Sequence, residues 1–239
     1  MNIVFFDIET TGFEYIKGAR MTEIAWAKYD TDLKRVVGQQ SWIINAKVDE
    51  VPENITKLTG ITLDTLRTHG KDKRAILNLF FDAVRESDAI FARNGIKFDW
   101  PFICCEARES QVTPPETVLI DDYIDIKYPP NQKNCTLSHV AADHGFLNPF
   151  PHQAMGDVMT MIRVMEVGGY DLELAFGSAR HPMLEIVSLA PYAMKDKVKA
   201  AGFNWDPERG QKGEWFKNMR GHVYENADFG FPTRIEKEL

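Results

Sequence analysis

Three cysteines in 239 residues, at positions 104, 105 and 135, are too few for a disulfide framework. Cys104 and Cys105 are adjacent within a predicted helix, so they read as packing residues rather than ligands. The chain is therefore expected in a reducing, cytosolic compartment. No apolar run approaches the length that spans a bilayer. The opening stretch MNIVFFDIE lacks a basic segment, and its apolar run is too short for a signal peptide. Positive charge is not in excess either: 28 Lys and Arg stand against 35 Asp and Glu, a net −7. That excludes a protein coated in positive potential, so contact with a polyanion would need a local basic patch or bound cations. There is no internal repeat and no low-complexity run. With 44% hydrophobic residues, the chain has enough apolar material for a sizeable core. Its length suits one large domain, or a medium one followed by a small one.

Strand signals come first. NIVFFDI, RMTEIAWAKYD and RVVGQQSWIINA read as three successive strands, the second and third joined by the polar stretch DTDLK. ENITKLTGIT reads as a short helix closed by Gly60. KDKRAILNLFFDAVRES reads as an amphipathic helix with Ile76, Leu77, Phe80, Phe81 and Val84 on its apolar side. DAIFARN is a short strand. DWPFICCEARES is a helix with Asp99 as N-cap and Pro101 in its first turn. ETVLIDDYIDI reads as strand, TLSHVAADHG as a helix stopped by Gly145, and QAMGDVMTMIRVMEVGG as a helix stopped by Gly168 and Gly169. Three strands followed by alternating helix and strand predict an α/β layer structure with a mixed sheet.

The character changes after Gly168, where ELAFGSARHP reads as a connection. We place a boundary between residues 177 and 178. Residues 178–239 hold ten Lys or Arg against nine Asp or Glu, so the first 177 residues carry the whole negative excess.

Within FFDIETTGF, strand alternation points Asp7 and Glu9 the same way. Two converging carboxylates repel unless a cation sits between them. The pair is either a metal site, or a turn-starting Asp beside a solvated Glu. Two later stretches bear on that choice. RNGIKFDW follows a predicted strand and ends on Asp99 at a helix start. HQAMGDVMT places His152 just before a helix and Asp157 in its first turns. Taken singly, Asp99 caps a helix, Asp157 suits the positive helix N-terminus and His152 is a loop histidine. Together they are four acids and one histidine at strand ends and helix starts, where α/β sheets present functional groups.

DIETTG, NGIKFD and HQAMGD, in this order, resemble the three motifs of the DnaQ-like 3′→5′ exonucleases, in the branch named for Asp-Glu-Asp-Asp plus His. VPENITKLTGIT also resembles that family's Thr-Gly-Ile-Thr segment, and the likeness covers residues 1–167. A sister branch has Tyr near the last Asp, where this chain has Gln153 and no Tyr. The resemblance implies a ribonuclease-H-like fold, a mixed five-stranded sheet flanked by helices; residues 178–239 after it read as a small C-terminal α+β module. It also implies hydrolysis of phosphodiesters with two divalent cations, Mg²⁺ or Mn²⁺, about 3.5–4 Å apart. Asp7, Glu9, Asp99 and Asp157 would then be the metal ligands and His152 the general base, a task that imidazole chemistry suits.

The same resemblance assigns substrate contacts to Thr11, Gly12, Phe13, Asn94 and Phe98. Phe13 would stack on a terminal base or belong to the core. Asn94 would touch the penultimate nucleotide or cap a strand end. The implied substrate is the 3′ end of single-stranded or frayed DNA, with RNA as the alternative, and a binding module with a vestigial site as a third reading. No membrane contact is expected, and no polymerase-binding peptide stands out. MKDKVKAAGFNWDPERGQKGEWFKN resembles a small module of some phage and plasmid DNA-processing proteins. Trp205 and Trp215 there read as a mini-core, or with Arg209, Lys212 and Lys217 as a single-strand contact.

Overall fold

Four consecutive apolar side chains, Ile3 to Phe6, are fully buried in the first strand of a computed structural model that describes residues 1–129, 132 and 135–238. Each stabilises the fold by about 1.5–3 kcal/mol relative to exposure. This strand, β1 (Asn2–Thr10), pairs antiparallel with β2 (Met21–Asp30), which pairs antiparallel with β3 (Arg35–Ile43). β1 runs two residues past the predicted Ile8, so Asp7 and Glu9 both lie in extended backbone. The ladder shifts register between Glu9 and Thr10, at the edge of the site.

Three helices follow, α1 (Glu53–Thr59), α2 (Leu63–His69) and α3 (Lys73–Arg85). Gly60 ends α1 in the left-handed region at φ 76°, a conformation glycine adopts without strain. α2 has no counterpart among the predicted elements. It is set by a capping box in which Thr62 accepts from the Thr65 N–H and Thr65 reaches back to Thr62. Next come β4 (Ala89–Ala92), α4 (Asp99–Glu109), β5 (Leu119–Asp121), α5 (Asp122–Asp125), α6 (Leu137–Asp143) and α7 (Ala154–Gly168). ETVLIDDYIDI is thus a three-residue strand and then a helical turn, not one strand. The Asp121 side chain accepts from the Tyr123 N–H and so stops the strand.

β4 and β5 join β1 in parallel, giving the five-stranded order β3-β2-β1-β4-β5. One face carries Val4, Phe6 and Ile8 of β1 with Ile24 and Trp26 of β2. They share a core with Phe80 and Phe81 of α3 and Phe102 and Ile103 of α4. The other face carries Phe5, Asp7 and Glu9, opposite Ala27, Ala25 and Glu23 of β2. Helix α7 packs on β1 and β2, and the two small alanines let it approach closely.

The chain divides into two units, Met1–Phe176 and Gly177–Leu239. The stretch read as a connection is instead α8 (Leu172–Ala179), started by Asp171, whose carboxyl accepts from the Leu174 N–H at 2.9 Å. In the second unit β6 (Met183–Ser188), α9 (Lys195–Ala200), β7 (Asn204–Asp206), β8 (Glu214–Arg220), α10 (Gly221–Glu225) and β9 (Thr233–Glu238) follow. Its antiparallel sheet has the order β7-β8-β6-β9. Leu184, Ile186, Val198, Phe203 and Met219 form its core, joined by Trp215. Trp205 stands opposite Trp215 with ring centroids 5.6 Å apart and is half exposed. Arg209 is paired with Glu185 at 2.7 Å, and Lys217 donates to the Ala201 carbonyl. Two of the three cations read as strand contacts are therefore engaged inside the unit.

Candidate active site

The parity of β1 determines which acids can meet. Asp7 and Glu9 project from the face that α7 covers, and α7 brings Asp157 in its first turn. One ligand atom each of Glu9, His152 and Asp157 lies within 4.8 Å of the others. His152 precedes the helix at φ 60°, in the left-handed region, and its side chain is exposed. Its N–H donates to Asp157 Oδ2 at 3.2 Å, which closes the turn.

Asp99 is not an N-cap. It is the first residue of α4, and Phe98, before it, makes no capping bond. Asp99 is buried, 3% exposed, and lies close enough to the Ile8 backbone of β1 for it to favour the charged form. Its charge reaches Asp7 on that strand.

The electrostatics are those of acids without enough positive charge. Burial raises Asp7 well above the usual carboxylate range, and Asp99, Asp157, Glu9 and Glu23 raise it further. Glu9 is pushed up to about 8, first by burial and then by Asp157, Glu23 and Asp99. Asp99 is pushed up to about 7 by burial, against its backbone hydrogen bonds, with Asp121 and Asp122 adding to the rise. Asp157 is raised by burial as well, opposed by hydrogen bonds from Asn148 and His152. An all-oxygen set plus one imidazole, with its carboxylates repelling one another, fits hard divalent cations such as Mg²⁺ or Mn²⁺.

Next to this cluster the chain turns outward. The Thr11 N–H donates to the Arg20 carbonyl at 2.9 Å, and the Thr11 hydroxyl accepts from the Arg20 N–H at 2.9 Å while keeping its own proton to donate. Added at Gly12, a Cβ would meet only Ala19 Cβ, at an ordinary 3.6 Å, so packing does not demand a glycine here. Phe13 is 84% exposed and meets Phe98 edge-on with centroids 6.1 Å apart, so it is not a core residue. Thr11, Gly12 and Phe13 line a cleft of about 760 Å³ together with Lys17, Arg20 and Lys47.

Asn94 sits at φ 58° in the turn after β4, its carbonyl accepting from the N–H groups of Lys97 and Phe98. Asp122 is buried against Arg93, and Asp121 accepts from the Ile96 N–H at 3.0 Å.

Several residues that support the site carry no motif signal. Arg93, Asp121 and Asp122 anchor the Asn94 turn. Asn148 donates to Asp157 Oδ1 at 2.5 Å. Gly156 allows that loop to sit close, since a Cβ there would lie 2.3 Å from the Phe150 carbonyl oxygen. Glu23 is the fifth acid of the cluster. A lone Glu in the otherwise buried run of RMTEIAWAKYD was the available signal for it.

A mixed sheet of this order, with acids at the end of its first strand facing a helix that brings another, is the ribonuclease-H-like fold of the DnaQ-like nucleases. The chain belongs to the exonuclease family: the model described as Exonuclease (RNase_T) matches residues 4–165. Among solved structures it resembles the zinc-bound form of E. coli exonuclease I with single-stranded DNA, at TM-score 0.68 and 16% identity, over 92% of this chain and 63% of that one. The complex of E. coli exonuclease I with a dA16 oligonucleotide matches at TM-score 0.65 and 14% identity, over 97% and 68%. A further structure of exonuclease I matches at TM-score 0.62 and 18% identity, over 78% and 48%. The chain thus spans about half to two thirds of the structures it matches. A search of curated proteins found no match. No described helix is long and apolar enough to cross a membrane.

Proposed function

We propose that the chain is a divalent-metal-dependent 3′→5′ exonuclease that releases nucleoside 5′-monophosphates from single-stranded or frayed DNA ends. The observation that carries this reading is the convergence of Glu9, His152 and Asp157 beside the buried Asp7 and Asp99. Family membership and the likeness to exonuclease I, solved with oligonucleotides, support it.

Asp7, Glu9, Asp99 and Asp157 would hold the two cations, Asp7 being the buried carboxyl on which the other three act. When bound, the cations supply an activated water and neutralise charge on the scissile phosphate and leaving oxygen. His152 takes the proton of the attacking water as general base and, being exposed, returns it to solvent. The Thr11 hydroxyl and the Gly12 backbone hold the terminal sugar, and Phe13 stacks on the terminal base. Asn94 and Phe98 contact the strand one nucleotide back.

The test is incubation of end-labelled single-stranded DNA and RNA with Mg²⁺, Mn²⁺ or EDTA. The expected result is stepwise shortening of DNA from the 3′ end, abolished by EDTA. Preference for RNA would reassign the sugar, and intact substrates with both metals would overturn the reading.

A further inference from the structure

α7 begins without a cap from its own segment. Gln153, at the N-cap position, makes no side-chain bond to the helix, yet the first N–H groups of a helix need acceptors. The one at Ala154 is met from across the sheet. Glu23 Oε2 accepts it at 3.2 Å, a bond spanning 131 residues of sequence. The other oxygen is also engaged, because the Ser41 hydroxyl donates to Glu23 Oε1 at 2.9 Å. Glu23 is 9% exposed and directly opposite Glu9 in the β1–β2 register. A carboxylate fixed at both oxygens therefore ties the start of α7 to the strand pair that carries Asp7 and Glu9. The tied residue, Ala154, lies between His152 and Asp157, whose own contact closes the same turn.

We propose that Glu23 is a positioning residue. It holds the His152–Asp157 turn against β1 by capping α7 from β2, with Ser41 aiming it. This rests on the nuclease reading for its effect on rate, though not for its effect on the helix. Glu23 is not assigned to a cation, since both of its oxygens already accept hydrogen bonds. A carboxylate also suits the positive end of α7, which offsets part of its repulsion with Glu9.

The experiment compares the full-length wild type, Glu23→Ala and Glu23→Gln. Gln keeps an acceptor for the Ala154 N–H, and Ala removes it. Hydrogen exchange on the metal-free proteins reads the helix start directly. Exchange over residues 154–157 is expected to speed up in Glu23→Ala and to stay near wild type in Glu23→Gln. With single-stranded DNA and Mn²⁺, Glu23→Ala is expected to lose about 10–100-fold in kcat, the usual range for residues that orient ligands from behind. KM should stay within about twofold, and Glu23→Gln should restore most of kcat. Unchanged exchange in Glu23→Ala overturns the proposal, as does a Gln variant as impaired as Ala. If Glu23→Ala does not fold, Ser41→Ala takes its place. It is expected to show a smaller loss of kcat and faster exchange at the same amides, and wild-type values in both overturn the proposal. A wild type that degrades no nucleic acid ends the nuclease reading, while the exchange measurement still decides the role of Glu23.

Discussion

Glu9 and Glu23 stand directly opposite each other on β1 and β2, two acids in one ladder position on one face of the sheet. Like charges so placed destabilise a strand pair. The two are not equivalent. Glu23 is held by Ser41 and Ala154, whereas burial and three neighbouring acids push Glu9 up to about 8. The fold tolerates a local conflict at this point, and a bound cation is what would relieve it.

That conflict sets a pH dependence. Glu9 is protonated more readily in the folded chain, at about 8, than in the unfolded chain near 4.5. Between those values the unfolded state gives up the proton first, so folding stability falls as pH rises through the window. Asp99, pushed up to about 7 from 3.8, acts in the same direction. In EDTA the melting temperature is expected to decline from about pH 5 to about pH 8. Added Mn²⁺ should restore it most at the upper end, where the ligands are ionised. Calorimetry across this range checks both, and a Mn²⁺ effect that shrinks as pH rises would contradict the account.

Asp7→Asn removes a charge from the position where all the other acids of the cluster act. The metal-free variant is expected to melt higher than wild type, by about 2–4 °C for each kcal/mol of repulsion removed. Degradation should fall to background and stabilisation by Mn²⁺ should be largely lost. Melting curves with and without Mn²⁺, beside a nuclease assay, separate these effects.

His152→Ala is expected to lower kcat by about 10²–10⁴-fold, the span typical of a general base. The backbone N–H that bonds Asp157 survives the substitution, so KM and stabilisation by Mn²⁺ should be little changed. Unaltered turnover would remove His152 from the chemistry.

Arg93→Ala tests the support of the Asn94 turn. It would leave Asp122, 1% exposed, without its cation. Breaking such a pair from one side costs about 3–5 kcal/mol, measurable by urea unfolding. A loss below about 1 kcal/mol, the level of an exposed pair, would show that the turn does not depend on it.

Much of the first unit is legible locally. The run Ile3–Phe6, the three successive strands and the glycines at 60, 145 and 169 mark elements through period and backbone freedom alone. α2, α5 and α8 escape that reading for a shared reason. They are short, their apolar pattern is weak, and side-chain caps from Thr62, Asp121 and Asp171 decide them. Period two also puts Asp7 and Glu9 on one face, without saying what that face meets. Asp99 looked like a cap because it stands at a helix start. Its carboxyl is instead buried beside the Ile8 backbone, which another element supplies.

By itself, the sequence determined where the longer strands and helices form and that Asp7 and Glu9 project to one face, because side-chain direction follows from backbone period. Only the tertiary structure decided which charges meet. The β1–β2 register set Glu9 against Glu23, and Ala25 and Ala27 admitted α7 close enough to bring His152 and Asp157 to the same place. Burial then raised the acids far above their ordinary range, since the cost of a charge depends on its surroundings and on residues more than a hundred positions away.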